Sequence, residues 1–290
     1  MLELGRRNHL EVLRHTPQGL YLEAGPEHDG VLLPTRWVTD AMRTGDTVDV
    51  FVYRDAEGRP IATTDEPYVA AGGFAFLEVV AVTPGVGVFL DWGLSKDLLV
   101  PVSELGPYDL RGIERGDGLA VAVFVDRNDR VVASCRIHRH LADGVPTLAA
   151  NEAVEAFVWD TSPLGFSAVV NGRYGGLLYR SDTADEPEIG DTLTAYVKRV
   201  YDDGKIDLLR DPAGYGRVAD LSATILDRLR DAGGRLDVHD KSSPEEIRAA
   251  FGCSKKAFKQ AVGALYRRRV IRLVPGGIEM SDADAAEDAD

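Results

Sequence analysis

Gly87-Val88-Phe89-Leu90, then Leu99-Val100-Pro101, then Gly116-Asp117 ahead of the alternating run 119–125, is the order of residues that decides the fold, because the chain writes it three times. The first copy reads Gly19-Leu20-Tyr21-Leu22, Leu32-Leu33-Pro34, Gly45-Asp46 and the run 48–53. The third reads Gly165-Phe166-Ser167-Ala168, Leu177-Leu178-Tyr179, Gly190-Asp191 and the run 193–200. From the opening glycine, the last residue of the second element lies 15, 14 and 14 positions on, and the Gly-Asp pair begins 26, 29 and 25 positions on. A polar turn and a last short strand close each unit, at 59–63, 130–134 and 205–208. Gly-Asp before a strand is ordinary turn chemistry when it occurs once. Three occurrences in register signal an internal repeat.

Each unit of about 65 residues carries about five short alternating strands separated by Gly, Asp and Pro, the pattern of a small all-β barrel. A five-stranded barrel with a long connection between its third and fourth strands is an OB-fold, whose strand face and loops bind oligonucleotides. The reading is mainly β: OB-fold units at 1–66, 67–144 and 145–212, then an α/β module at 213–280 and an acidic tail at 281–290.

The module after 212 changes period. Val218, Leu221, Ile225, Leu226 and Leu229 fall on one helical face, and Gly233-Gly234 stops that helix. Ser243-Pro244-Glu245-Glu246 gives an N-cap, a first-turn proline and a capping-box acid for a second helix through about Phe251. Ser254 caps a third helix over 255–268 with Phe258, Ala261, Val262 and Leu265 inward and Lys256, Lys259, Gln260 and Arg267 on the opposite side. Strands at 270–274 and 278–280 around Pro275-Gly276-Gly277 make a hairpin. Helix, helix, glycine turn, helix and hairpin is similar to a winged helix, whose last helix can enter a DNA groove.

Charge qualifies any nucleic-acid reading. The 290 residues carry a formal charge of -14, with 44% hydrophobic and 28% charged residues, the composition of a globular protein. Residues 1–212 hold 20 bases and 34 acids, residues 213–280 hold 13 and 8, and the last ten hold five acids and no base. Phosphate binding normally shows a basic footprint, so here it has to be local. The third unit supplies a local one: Arg173, Tyr174, Tyr179, Arg180, Lys198, Tyr201 and Lys205 interleave rings with cations. An exposed ring stacks on any unpaired base while nearby Lys and Arg track phosphates. Tyr174, beside glycines, reads as a surface ring on a loop.

The three units resemble the S1 motif, the OB-fold RNA-binding module typically written Gly-Ala-Phe-Val, Gly-Leu-Val-His with a nearby Ser, Gly-Asp, and a late Asp with Arg. The second copy carries Phe89, Ser103, Gly116-Asp117, Asp126 and Arg130; the first carries Tyr21, Pro34, Asp55 and Arg59. Proline replaces the histidine at 34 and 101, whereas Tyr179 at the same place keeps a stacking ring. The whole order is similar to the bacterial CvfB/YitL family through Asp91-Trp92-Gly93-Leu94, Lys96-Asp97-Leu98-Leu99-Val100-Pro101 and 171–179.

That resemblance implies single-stranded RNA as partner, a post-transcriptional regulatory role and no catalysis. The motif positions and the ring-and-cation pattern together make the candidate RNA contacts Tyr21, Phe89, Arg130, Arg173, Tyr174, Tyr179, Arg180, Lys198 and Lys205, joined by Lys256, Lys259 and Arg267 on the positive face of the third helix. Two alternatives stay open: a DNA-binding transcription regulator using the third helix, and an acidic protein–protein adaptor.

The sequence contains no Walker-type loop, dinucleotide fingerprint or HExxH. It therefore points to no cofactor, metal or catalytic residue. His138 and His140 would share one side of a strand, but no third ligand accompanies them. Cys135 and Cys253 are too few for a disulfide framework. No stretch approaches the roughly 20 apolar residues of a membrane span, and no secretory signal is readable at the start, so a cytoplasmic address is expected. The sequence sets no oligomeric state.

Overall fold

The structure is a computed structural model that describes residues 2–26, 29–183, 186–211 and 215–281, with the backbone alone over 215–220. The tail expected at 281–290, apart from Ser281, and the side chain of Val218 lie outside the described residues.

The first unit is a closed barrel in the order β1-β2-β3-β5-β4, with β1 at Arg6–Thr16, β2 at Gly19–Leu22, β3 at Val31–Pro34, β4 at Thr47–Arg54 and β5 at Pro60–Thr63. The third repeats it with β11 (Ala153–Thr161), β12 (Gly165–Val170), β13 (Tyr174–Tyr179), β14 (Thr192–Val200) and β15 (Ile206–Leu209). In both barrels the third and fifth strands pair in parallel, which closes the OB topology. The middle unit has β6 (Phe74–Thr83), β7 (Gly87–Leu90), β8 (Leu98–Pro101), β9 (Gly118–Val125) and β10 (Val131–Ser134) in the sheet order β10-β9-β6-β7-β8. Its seam between β8 and β10 is stitched through Glu104, whose main-chain oxygen accepts from Cys135 N–H at 2.9 Å. The Glu104 carboxylate accepts from the Ser134 hydroxyl at 2.6 Å.

The repeated motifs have common physical causes. In each copy the first strand bulges at one residue, Leu13, Val80 or Trp159. The glycine of the Gly-Asp pair donates its N–H to the carbonyl just before that bulge, on Val12, Val79 or Val158. It does so at a φ of 91°, 95° or 103°, open to glycine at no steric cost. The following aspartate turns back to accept the N–H of Arg43, Glu114 or Glu188 at 2.7, 2.8 and 2.9 Å. At the opening glycines 19, 87 and 165, a Cβ would run into the carbonyl of Leu33, Val100 or Leu178. The second and third strands can therefore start in contact only if that position is bare.

Alternation sends Val12, Leu20, Leu22, Val31, Leu33, Val50 and Val52 into the first core, and Val158, Phe166, Ala168, Val170, Leu178, Ile206 and Leu208 into the third. The loop that carries the family-like segment Asp91–Lys96 packs its Trp92 edge-on against Phe51 and Tyr53 of the first barrel, at ring-centre distances of 5.7 and 6.2 Å. The second core thereby includes two residues of the first unit. Phe157 and Val169 of the third barrel join Ala120, Ala122 and Ile137 of the second in a smaller shared cluster.

Helices α1 (Tyr215–Asp231), α2 (Pro244–Phe251) and α3 (Lys255–Arg267) pack around Phe258, Leu265 and Ile225, each fully buried. The capping box at Ser243 and Glu246 forms as the sequence reads. Gly252 ends α2 at φ 63°. The wing is a three-stranded sheet in which β16 (Arg235–Leu236) joins the hairpin of β17 (Ile271–Val274) and β18 (Gly277–Met280). The two-residue β16 is too short to leave a periodic signal.

Candidate nucleic-acid interface

Strand register aligns the three barrel faces residue by residue. Tyr21 opposes Leu32, Phe89 opposes Leu99 and Ser167 opposes Leu177; Gly19, Gly87 and Gly165 oppose Pro34, Pro101 and Tyr179. In the turn before the last strand, the N–H of Asp55, Asp126 or Tyr201 bonds to the carbonyl of Arg59, Arg130 or Lys205. Tyr201 thus occupies the place of the two aspartates and Lys205 that of the two arginines. Asp207, two residues beyond Lys205, stands where the other copies have Ile61 and Val132.

These exchanges change the chemistry of the face. In the first two copies the cation is consumed locally: Arg59 lies 2.7 Å from Asp55, and Arg130 lies 2.7 Å from Asp126. Tyr21 is half-buried under the Arg14 guanidinium, 4.4 Å from its ring centre, and Phe89 is half-buried at the matching place. In the third copy Lys205 is paired in the same way, with Asp203, but the face beside it opens into a groove of about 460 Å³. Trp159, Tyr179 and Tyr201 line it together with Ser167, Lys205 and Asp207. Gly175 and Gly176 form part of the wall, and Leu141, from the connection between the second and third barrels, lies against Gly175.

The Tyr201 hydroxyl donates to Oδ2 of Asp207 at 2.9 Å, and this bond raises the phenol above its ordinary pKa. Burial, and after it the Asp207 carboxylate, push the Tyr179 phenol the same way. Both rings therefore stay neutral donors at physiological pH. Arg199 lies 4.5 Å from the Tyr201 ring centre, and Lys198 lies 5.3 Å from that of Tyr179 while bonding Asp182 at 2.7 Å. Lys205, exposed at the groove edge, pairs with Asp203 at 2.6 Å.

Some nominated residues lie elsewhere. Tyr174 is the first residue of β13 rather than part of a loop, and it alternates with Tyr179 so that its ring packs, half-buried, on the barrel core. The Asn171-Gly172 turn before it has φ of 50° and 63°, a hairpin turn that starts the strand one residue after Arg173. Arg173 is exposed and covers the Tyr174 ring at 5.3 Å, away from the groove lining. Arg180 bonds the Ser162 carbonyl, the Thr161 hydroxyl and Glu186, so it ties down the turn between β11 and β12. His138 and His140 lie on and just after a 3-10 turn, Ile137–Arg139, and not on a strand; the His140 ring tilts against Phe124 at 4.6 Å. Among the described residues no three His, Cys, Asp or Glu gather as a metal site.

Trp159, Ser167, Asp207 and Leu141 escaped the sequence reading. Trp159 was legible in principle as the large residue at the repeated bulge, but only once the three first strands are aligned. On the winged helix, Lys256, Lys259 and Arg267 are all exposed on α3. Tyr266 and Arg269 join Arg267 around a second hollow of about 340 Å³ where α3 meets the wing.

Three tandem OB-type units with an aromatic groove on the last of them, followed by a winged helix, define a multidomain protein built from nucleic-acid-binding modules. An S1 domain family matches residues 4–65, a CvfB first S1-like domain 74–134 and a CvfB-like winged helix domain 223–280. Uncharacterized protein YitL of Bacillus subtilis (strain 168) is 30% identical over 91% of this chain and 89% of its own length. Conserved virulence factor B of Staphylococcus aureus (strain N315) is 27% identical over 90% and 89%. The chain belongs to the CvfB/YitL family. A crystal structure of a multidomain protein with nucleic acid binding domains from Streptococcus pneumoniae TIGR4 is 25% identical and covers 96% of this chain and 98% of its own, with a TM-score of 0.42. The matched families are binding modules rather than enzymes. No helix among the described residues is long and apolar enough to cross a membrane.

Proposed function

We propose that this protein is a non-enzymatic, cytoplasmic, single-stranded RNA-binding regulator whose principal contact is the groove of the third barrel. The observation that carries this reading is the convergence of Trp159, Tyr179 and Tyr201 on one open groove with Lys205 at its edge. Unpaired bases stack on such rings irrespective of sequence, and duplexes, whose bases are already stacked, cannot enter. The net charge of -14 does not oppose this, because screening confines each patch to about a Debye length of 8 Å at physiological salt. Lys256, Lys259 and Arg267, exposed on α3, would add phosphate contacts.

Titration of the full chain with single-stranded RNA, single-stranded DNA and duplex DNA at two salt concentrations tests the proposal. It expects preference for single strands and a loss on Tyr179→Ala that exceeds the loss on Lys256→Ala with Lys259→Ala. The exposed basic face of α3 favours one second reading, duplex DNA binding, under which the double lysine variant abolishes tight duplex binding and Tyr179→Ala changes nothing. Absence of binding to every nucleic acid would leave the acidic adaptor.

A further inference from the structure

The first two barrels keep their turn carboxylates, Asp55 and Asp126, bonded to arginines. The third keeps a paired carboxylate in its turn, Asp203 with Lys205 at 2.6 Å, and adds another on β15, Asp207, which lines the groove. The Tyr201 hydroxyl that bonds it there at 2.9 Å is neutral, so this bond orients the carboxylate without cancelling its charge. A carboxylate at the wall of an RNA groove repels phosphate and accepts hydrogen bonds only. It lines the same groove as Tyr179 and Tyr201, and the Tyr201 hydroxyl holds it at 2.9 Å, so a base stacked on those rings would have this carboxylate within reach of its edge. Arg199 lies over the Tyr201 ring, and Lys205 and Lys198, each paired with an aspartate, lie around the same rings; phosphate would compete with Asp203 and Asp182 for those two ammonium groups.

We infer that Asp207 makes this groove selective for guanine, an inference that rests on the RNA-binding reading above. Guanine offers two adjacent donors, N1–H and the N2 amino group, to the two oxygens of one carboxylate. Uracil offers one N–H flanked by two carbonyl oxygens, which the carboxylate repels. Adenine and cytosine each offer an amino group beside an unprotonated ring nitrogen, again an acceptor facing an acceptor. A site built around a fixed acceptor rejects ligands that leave it unpaired or opposed. Tyr201 holds the carboxylate in place, so its orientation precedes binding.

Fluorescence anisotropy of the full chain tests this with RNAs of about twelve nucleotides, a length that fills an OB-fold site. One is all uridine, one carries spaced guanosines, one carries inosine at the same places and one carries adenosine. The wild type should bind the guanosine RNA about tenfold more tightly than the uridine RNA, a ratio within the range of a good bidentate contact. Inosine, without the N2 amino group, should fall between them. Asp207→Asn should erase the guanosine advantage, bringing the affinities for the four RNAs within about twofold of one another. Equal affinity of the wild type for all four RNAs, or an advantage that survives Asp207→Asn, overturns the guanine inference. If uridine RNA still binds and Tyr179→Ala still weakens it, the RNA-binding reading stands alone. If no RNA binds, both fall.

Discussion

Lys96 Nζ sits 2.9 Å from the carbonyl oxygen of Asp55, so a side chain of the second barrel closes the polar turn of the first. The same ammonium reaches the Arg54 carbonyl at 2.8 Å, and Arg54 in turn pairs with Asp129 of the second barrel at 3.2 Å. Around them Trp92 is 2% exposed and donates its indole N–H to the Lys96 carbonyl at 2.6 Å. Two of the family-like segments, 91–94 and 96–101, therefore build a joint between barrels, while the third, 171–179, carries Gly175, Gly176, Leu177 and Tyr179 of the groove.

Trp92→Ala should cost about 3 to 5 kcal/mol, the usual loss for deleting a buried aromatic, because the ring serves two barrels at once. Lys96→Met should cost about 1 kcal/mol, since its carbonyl partners can return to water. Calorimetry of the full chain should show the first two barrels melting together in the wild type and separating in Trp92→Ala. Limited proteolysis should then cut the connection at 64–73 first.

Acid should weaken the first two barrels through Asp55 and Asp126. Burial works against each carboxylate, but bonds from Arg59 and Arg130 overcome it and hold both pKa values below the ordinary one. A carboxyl with a lowered native pKa adds stability above its unfolded value of roughly 3.9, and that stability is lost as pH falls through the native value. Asp55→Asn with Asp126→Asn should flatten the acid limb of a thermal-melt series from about pH 6 to about pH 2. At neutral pH each change should cost under about 1 kcal/mol, because both arginines are largely solvated.

Cys135 should resist thiol reagents in the native protein. The side chain is 4% exposed, and burial, helped by Glu104, pushes its pKa up to about 12. Thiolate is the reactive form, so at pH 8 almost none exists. Mass spectrometry after maleimide treatment should find Cys253, half-buried in the winged helix, modified first, with Cys135 following only under denaturant.

The barrels were legible because each copy repeats three steric necessities: a bare glycine where two strands touch, a left-handed glycine at the bulge and an aspartate folded back on its turn. The winged helix was legible from its caps, which are local. The groove was only half legible. Tyr179 and Lys205 stood out as residue types, but Asp207, Trp159 and Ser167 gain meaning only from cross-strand register, which the linear order of residues does not reveal. Tyr174 misled because a ring beside glycines looks exposed, whereas the period of two in β13 turns it inward.

That period makes the two tyrosines of β13 a sharp test of the interface. Tyr179 and Trp159 line the groove, so alanine at either should weaken single-stranded RNA binding by about 1 to 3 kcal/mol without a matching loss of stability. Tyr174 packs on the core from the opposite side, so Tyr174→Ala should lower the melting temperature and leave affinity at low temperature near that of the wild type. Lys205→Ala should act differently from both: neutralising one phosphate fewer on a single strand reduces the slope of log affinity against log salt by about 0.7. Titrations of the three classes of variant at several salt concentrations separate stacking, packing and charge. Equal losses for Tyr174→Ala and Tyr179→Ala with unchanged melting would place RNA on the other face of the strand.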